Sequence, residues 1–108
     1  MGQVVVEKGD TKPNVKGVAK DFDGNAIDVS EAMLYFNMYD RKGNIIIENG
    51  AVNTPNSGTD GVVEYKWQDG DTDTVGTFKA EFVAEYTDGV LTIPNDGFID
   101  IKIGEKEQ

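Results

Sequence analysis

A chain of 108 residues has room for one hydrophobic core and none for a second, so the first expectation is a single domain. Twenty acidic against 10 basic residues give a net charge of −10 with no basic cluster, which argues against nucleic acid or an anionic membrane as partner. With no Cys and no His there is no disulfide, thiol nucleophile, Cys/His zinc site or imidazole base, so the chain reads as a non-enzyme without a cofactor.

The opening MGQVVVEKGD has no basic stretch followed by an apolar one, and no later run approaches the ~18 apolar residues of a membrane span, so neither export nor embedding is expected. Met1-Gly2 falls short of a myristoylation signal, because Val6 stands where Ser or Thr is needed. Val4 to Glu7 makes a first short strand. Its apolar triple Val4, Val5 and Val6 suits pairing with the sheet edge of another chain. After the Pro13 bend, roughly Val15 to Lys20 makes a second strand.

Strand 32 to 39 sets Ala32, Leu34, Phe36 and Met38 against Met33, Tyr35, Asn37 and Tyr39, and strand 44 to 48 carries the triple I45-I46-I47. With the first set in the core, Met33, Tyr35 and Tyr39 face outward, and Ile46 of the triple is expected to join them. Monomers seldom expose such a face without a use, so it is read as a partner-binding surface unless a loop folds over it.

Strand 62 to 67 alternates Val63, Tyr65 and Trp67 against Val62, Glu64 and Lys66, with Trp67 expected to cap the core. The clearest strand, 77 to 86, puts Phe78, Ala80, Phe82, Ala84 and Tyr86 on one side and Thr77, Lys79, Glu81 and Glu85 on the other. The hairpin T87-D88-G89 then leads to Val90–Ile93, and beyond Pro94 to Phe98–Ile103. Six of the 13 glycines follow Asp or Asn, at D23-G24, N49-G50, D60-G61, D69-G70, D88-G89 and D96-G97, pairs that suit the positive φ of tight turns. The pattern predicts an all-β chain, an immunoglobulin-like β-sandwich of seven or eight strands over residues 1–103 with a polar tail at 104–108; a small barrel is the rival.

Few residues offer chemistry. Asp69, Asp71 and Asp73 begin like a helix-loop-helix calcium loop, but Thr74 and Ala80 occupy the sixth and twelfth positions, where Gly and Glu are required. A looser calcium site from these aspartates with Asp21, Asp23 or Asp96 stays open, against a plain solvated corner. Ser30 and Ser57, the only serines, have no base beside them, and no pair among the 20 acids is singled out for acid–base work. Trp67, Tyr35, Tyr39 and Tyr65 are the candidates for a sugar-binding platform.

The ordered set G9-D10-T11, D23-G24-N25-A26-I27-D28-V29-S30-E31-A32, G61-V62-V63-E64-Y65 with W67, D71-T72-D73-T74, G76-T77-F78-K79-A80-E81-F82 and T92-I93-P94-N95-D96-G97-F98-I99 resembles the N-terminal domain of phage baseplate upper proteins, over roughly residues 7 to 103. The resemblance implies an immunoglobulin-like sandwich in a tailed-phage virion, made in the host cytoplasm, that docks without catalysis on capsid, tail or baseplate subunits; whether it also forms a homo-oligomer stays open. Similar sandwiches decorate capsids and tail tubes. The family domain usually opens a longer chain, whereas this sequence ends at Gln108, which raises the expectation of a free-standing decoration or adaptor subunit. Relatives often have Tyr where Phe78 stands, so a hydroxyl that could pin the corner is expected to be missing. A carbohydrate-binding or calcium-dependent adhesion module on the particle surface is the alternative.

Overall fold

The computed structural model describes residues 3–94 and 97–105. Among them eight strands run in chain order: β1 Gln3–Glu7, β2 Val15–Val18, β3 Met33–Tyr39, β4 Ile45–Ala51, β5 Val62–Tyr65, β6 Gly76–Tyr86, β7 Gly89–Ile93 and β8 Ile99–Gly104. The larger sheet has the order β1-β8-β6-β3-β4 with β7 also on β6, and β2 and β5 form the smaller sheet. All neighbours are antiparallel except β1, which runs parallel to β8. β7 and β8 lie end to end along one edge of β6, Ile93 opposite Phe82 and Ile99 opposite Ala80. They are one strand position interrupted, and the sandwich follows the immunoglobulin-like order.

Alternation explains the core. β6 turns Phe78, Ala80, Phe82 and Ala84 inward, all buried, and small alanines between large rings leave room for side chains from the opposite sheet. Phe36 of β3 stacks on Tyr65 of β5 at 4.2 Å between centroids and tilts against Phe82 at 5.2 Å, which ties the layers together. Each fully buried ring of this kind contributes about 1.5–3 kcal/mol from apolar burial. Trp67 lies just beyond β5 yet keeps its inward alternation and is 4% exposed, so it is a core residue as expected.

Two glycines show which Asp/Asn-Gly pairs are turns. Gly61 has φ 78°, and a Cβ there would sit 2.6 Å from the Ala19 carbonyl oxygen and 2.9 Å from that of Ile27, so D60-G61 is a turn pressed against a neighbouring segment. N49-G50 is not a turn, contrary to expectation. It lies inside β4, where Asn49 takes φ 55° with its N–H donating to Asn37 Oδ1 at 2.8 Å. Gly50 faces the Tyr65 ring, which a Cβ would meet at 2.7 Å, so the glycine serves close packing and β4 runs on to Ala51.

The three residues of the amino-terminal triple have different surroundings. β1 fills an edge of its own sheet: Val6 is 2% exposed in the core, Val4 packs half-buried against it, and only Val5, 56% exposed, points out. At the other end Gly104 belongs to β8 and accepts the Lys8 N–H at 2.8 Å, one residue into the expected tail. Residues 106–108 of that tail, Met1, Gly2 and Asp96 lie outside the described residues.

Candidate functional site: the outer face of the larger sheet

Cross-strand register sorts the outward residues into rows. Met33, Glu85 and Val90 lie side by side across β3, β6 and β7; Ala51, Tyr35, Val83 and Thr92 form the next row. Asn37 and Glu81 follow, then Ile45, Tyr39, Lys79, Asp100 and Gln3, and finally Thr77, Lys102 and Val5. The first two rows are mostly apolar. Met33 is 61% and Val90 66% exposed, with Tyr35 and Val83 half-buried between them. Glu85 is the carboxylate set among them, and these rows contain no Lys or Arg.

In the lower rows Asn37, Tyr39 and Glu81 are half-buried, while Ile45, Lys79, Asp100, Thr77, Lys102 and Val5 stay exposed. Phe98, immediately before β8, lies over part of the face, its ring edge-on to Tyr39 at 6.5 Å and under the Lys79 ammonium, 5.5 Å from the ring centre. The Tyr39 hydroxyl donates to Glu81 Oε2 at 2.9 Å. Burial raises the Tyr39 pKa above the ordinary 10.0, and the Glu81 carboxylate raises it further by accepting that proton and repelling a phenolate. One half of the face therefore carries an open apolar surface, and on the other Phe98 partly covers Tyr39.

The isoleucine expectation shifts by one residue. Ile45, opposite Tyr39, is on the outer face; Ile47, opposite Met38, packs half-buried against the core. The register shift between these pairs displaces Ile46, which lines a groove at the end of the sandwich with Val75 and Phe78 and lies apart from Tyr35.

The aspartate corner turns inward. The Asp71 carboxylate accepts the Tyr65 hydroxyl and the Gln68 N–H, the latter at 2.8 Å. Thr72, 2% exposed, donates its hydroxyl to the Asp10 carbonyl at 2.8 Å and accepts the Gly9 N–H on its own carbonyl at 3.1 Å. The Trp67 indole N–H donates to the Pro13 carbonyl at 2.9 Å. Burial, with Asp71 as a second cause, pushes the Tyr65 pKa well up. The Tyr65 hydroxyl thus pins the corner, which is also stitched to residues 9–13. Asp69 and Asp73 remain exposed, and among the described residues no three acidic side chains gather into a metal cluster. Asp21 accepts the N–H groups of Asp23 and Asn25, each at 2.9 Å, within its own turn.

Of the proposed sugar platform, Tyr65 and Trp67 are core residues, while Tyr35 and Tyr39 stand on the outer face 4 positions apart, in different rows. The Ser30 N–H donates to Asp28 Oδ1 at 2.8 Å and the Ser57 hydroxyl to the Asn56 carbonyl, so both serines belong to turns. Sequence reading missed Val83, Val90, Arg41 and Phe98. Strict alternation past Phe82 identifies Val83 and hairpin register identifies Val90, but nothing local says that Phe98 lies over Tyr39. A scan against protein-family models finds no match for the chain, and a search of curated proteins finds none.

Proposed function

We propose that the chain is a non-catalytic structural protein of a tailed-phage virion, a baseplate or tail component or a capsid decoration subunit, which docks on another virion protein through the open half of its outer face. The observation that carries this reading is the exposure of Met33 and Val90 beside Tyr35 and Val83. Apolar side chains gathered on one end of a rigid sheet gain free energy when a complementary surface removes them from water, about 25 cal/mol per Å². The motif order from G9-D10-T11 to F98-I99 supports the virion setting. With no His, no Cys and both serines held in turns, nucleophilic chemistry has no support in these residues.

The test is Met33→Asp combined with Val90→Asp, scored by the amount of the protein in purified particles. Both side chains are more than half exposed, so the fold is retained while incorporation is lost. Ile46→Asp, placed away from this face, is the matched control and leaves incorporation intact. Normal incorporation of the double variant rejects this face as the docking surface.

A further inference from the structure

The half of the face that carries Phe98 has features that apolar docking does not use. A cleft of about 390 Å³ is lined by Tyr39, Arg41, Lys79, Glu81 and Phe98. Next to it a second, of about 250 Å³, is bounded by Gln3, Thr77 and Asp100 and again by Arg41 and Lys79. Asp40 also lines the larger cleft, so Arg41 and Lys79, the two residues common to both clefts, stand among the carboxylates of Asp40, Glu81 and Asp100.

Three kinds of recognition group converge here. Phe98 and Tyr39 offer ring surface and edge, suited to the C–H face of a pyranose or to another apolar plane. Arg41 and Lys79 offer positive charge to an anion. Glu81 and Asp100 accept protons from hydroxyl groups, and the Gln3 amide both donates and accepts. Inorganic phosphate would use only the cations. An apolar side chain would use only the rings, and a neutral sugar would leave Arg41 without a counter-charge, Lys79 already lying over the Phe98 ring. A saccharide ring that carries hydroxyls and a carboxylate uses all three.

We infer that the paired clefts bind an acidic saccharide, with a uronate carboxylate held between Arg41 and Lys79, a pyranose face against Phe98 and Tyr39, and hydroxyls on Glu81, Asp100 and Gln3. The site lies rows away from Met33 and Val90, so saccharide binding and docking fail or succeed separately.

The experiment is an NMR titration of the full chain with a short oligogalacturonate, and in a second arm with its carboxyl-reduced, neutral counterpart. The expected result is a saturable shift of amides at Gln3, Arg41, Lys79 and Phe98 with a dissociation constant in the millimolar range or tighter, and at least about tenfold weaker binding of the neutral sugar. Arg41→Gln, Lys79→Gln and Phe98→Ala each weaken oligogalacturonate binding by about tenfold. Spectra that otherwise match the parent certify their folds. The Met33→Asp, Val90→Asp double variant binds as the parent does. Equal response to both sugars, no saturable shift in the millimolar range, shifts centred elsewhere, or equal displacement by inorganic sulfate at matched ionic strength overturns the assignment.

Discussion

At one end of the outer face Met33, Tyr35, Val83 and Val90 meet solvent, whereas at the other Phe98 lies against Tyr39 and Lys79, although β3 and β6 build both ends. The contrast arises where the partner of β6 breaks. Strand pairing with β6 stops at Ile93 opposite Phe82 and resumes at Ile99 opposite Ala80, and Phe98, immediately before β8, lies over the face. Which side chains leave the core is set by strand alternation; whether they stay open is set by what an irregular segment does afterwards.

Substitutions can break this contrast in graded steps. The largest effect is expected from Met33→Asp with Val90→Asp, which lowers incorporation into particles by more than about tenfold while the urea unfolding midpoint moves little, within about 1 kcal/mol. Phe98→Ala should open the Tyr39 ring to solvent. It loses the ring contact with Tyr39 and the ammonium contact with Lys79, about 1–2 kcal/mol of stability by chemical denaturation, without changing incorporation.

Tyr39→Phe is expected to cost about 1 kcal/mol at neutral pH, since it removes a hydrogen bond to a carboxylate and leaves the ring in place. It also has a pH signature. With its pKa raised in the folded chain, Tyr39 contributes stability that is full below the ordinary value of 10.0 and is lost as pH rises through the folded value. Tyr39→Phe should therefore make the alkaline loss of stability shallower, with Tyr65 and Tyr86, raised in the same direction, maintaining the remainder. Unfolding curves between pH 8 and 12 check this, and an unchanged slope would remove Glu81 and burial as the cause.

The smallest effect belongs to the hairpin that borders the half of the face carrying Phe98. Asp40 accepts the N–H groups of Lys42 and Asn44, each at 2.9 Å, and these interactions, led by the Asn44 side chain, hold its pKa below the ordinary 3.8. Its contribution is present above 3.8 and fades as pH falls through the folded value. Asp40→Ala should flatten the acid limb of the stability curve and leave the alkaline limb unchanged.

Much of this molecule was legible locally because the relevant physics is local. Period-two alternation marked β3 and β6 and their inward residues, including Phe36, Met38, Phe78 and Phe82, and the same period carried Tyr65 and Trp67 into the core. It failed at irregularities. The register shift in β4 moved Ile46 off the outer face, and N49-G50 looked like a turn because the same residues that permit turns also permit a strand irregularity packed on a ring. The triple Val4, Val5 and Val6 was read by composition alone, and pairing with β8 buried two of its three residues to different extents.

The sequence by itself determined the all-β character, the identity of the inward set on each clear strand, and the poverty of nucleophiles and bases, because these follow from side-chain chemistry and backbone geometry within a few residues. Only the tertiary structure decided that Asp71 faces Tyr65, that β1 pairs in parallel with β8 at the sheet edge, and that Phe98 lies over Tyr39 beside a cleft lined by Arg41 and Lys79, away from the open apolar half. Those outcomes join residues far apart in the chain. They depend on which surfaces the folded core brings within reach of one another, and no local pattern encodes that distance.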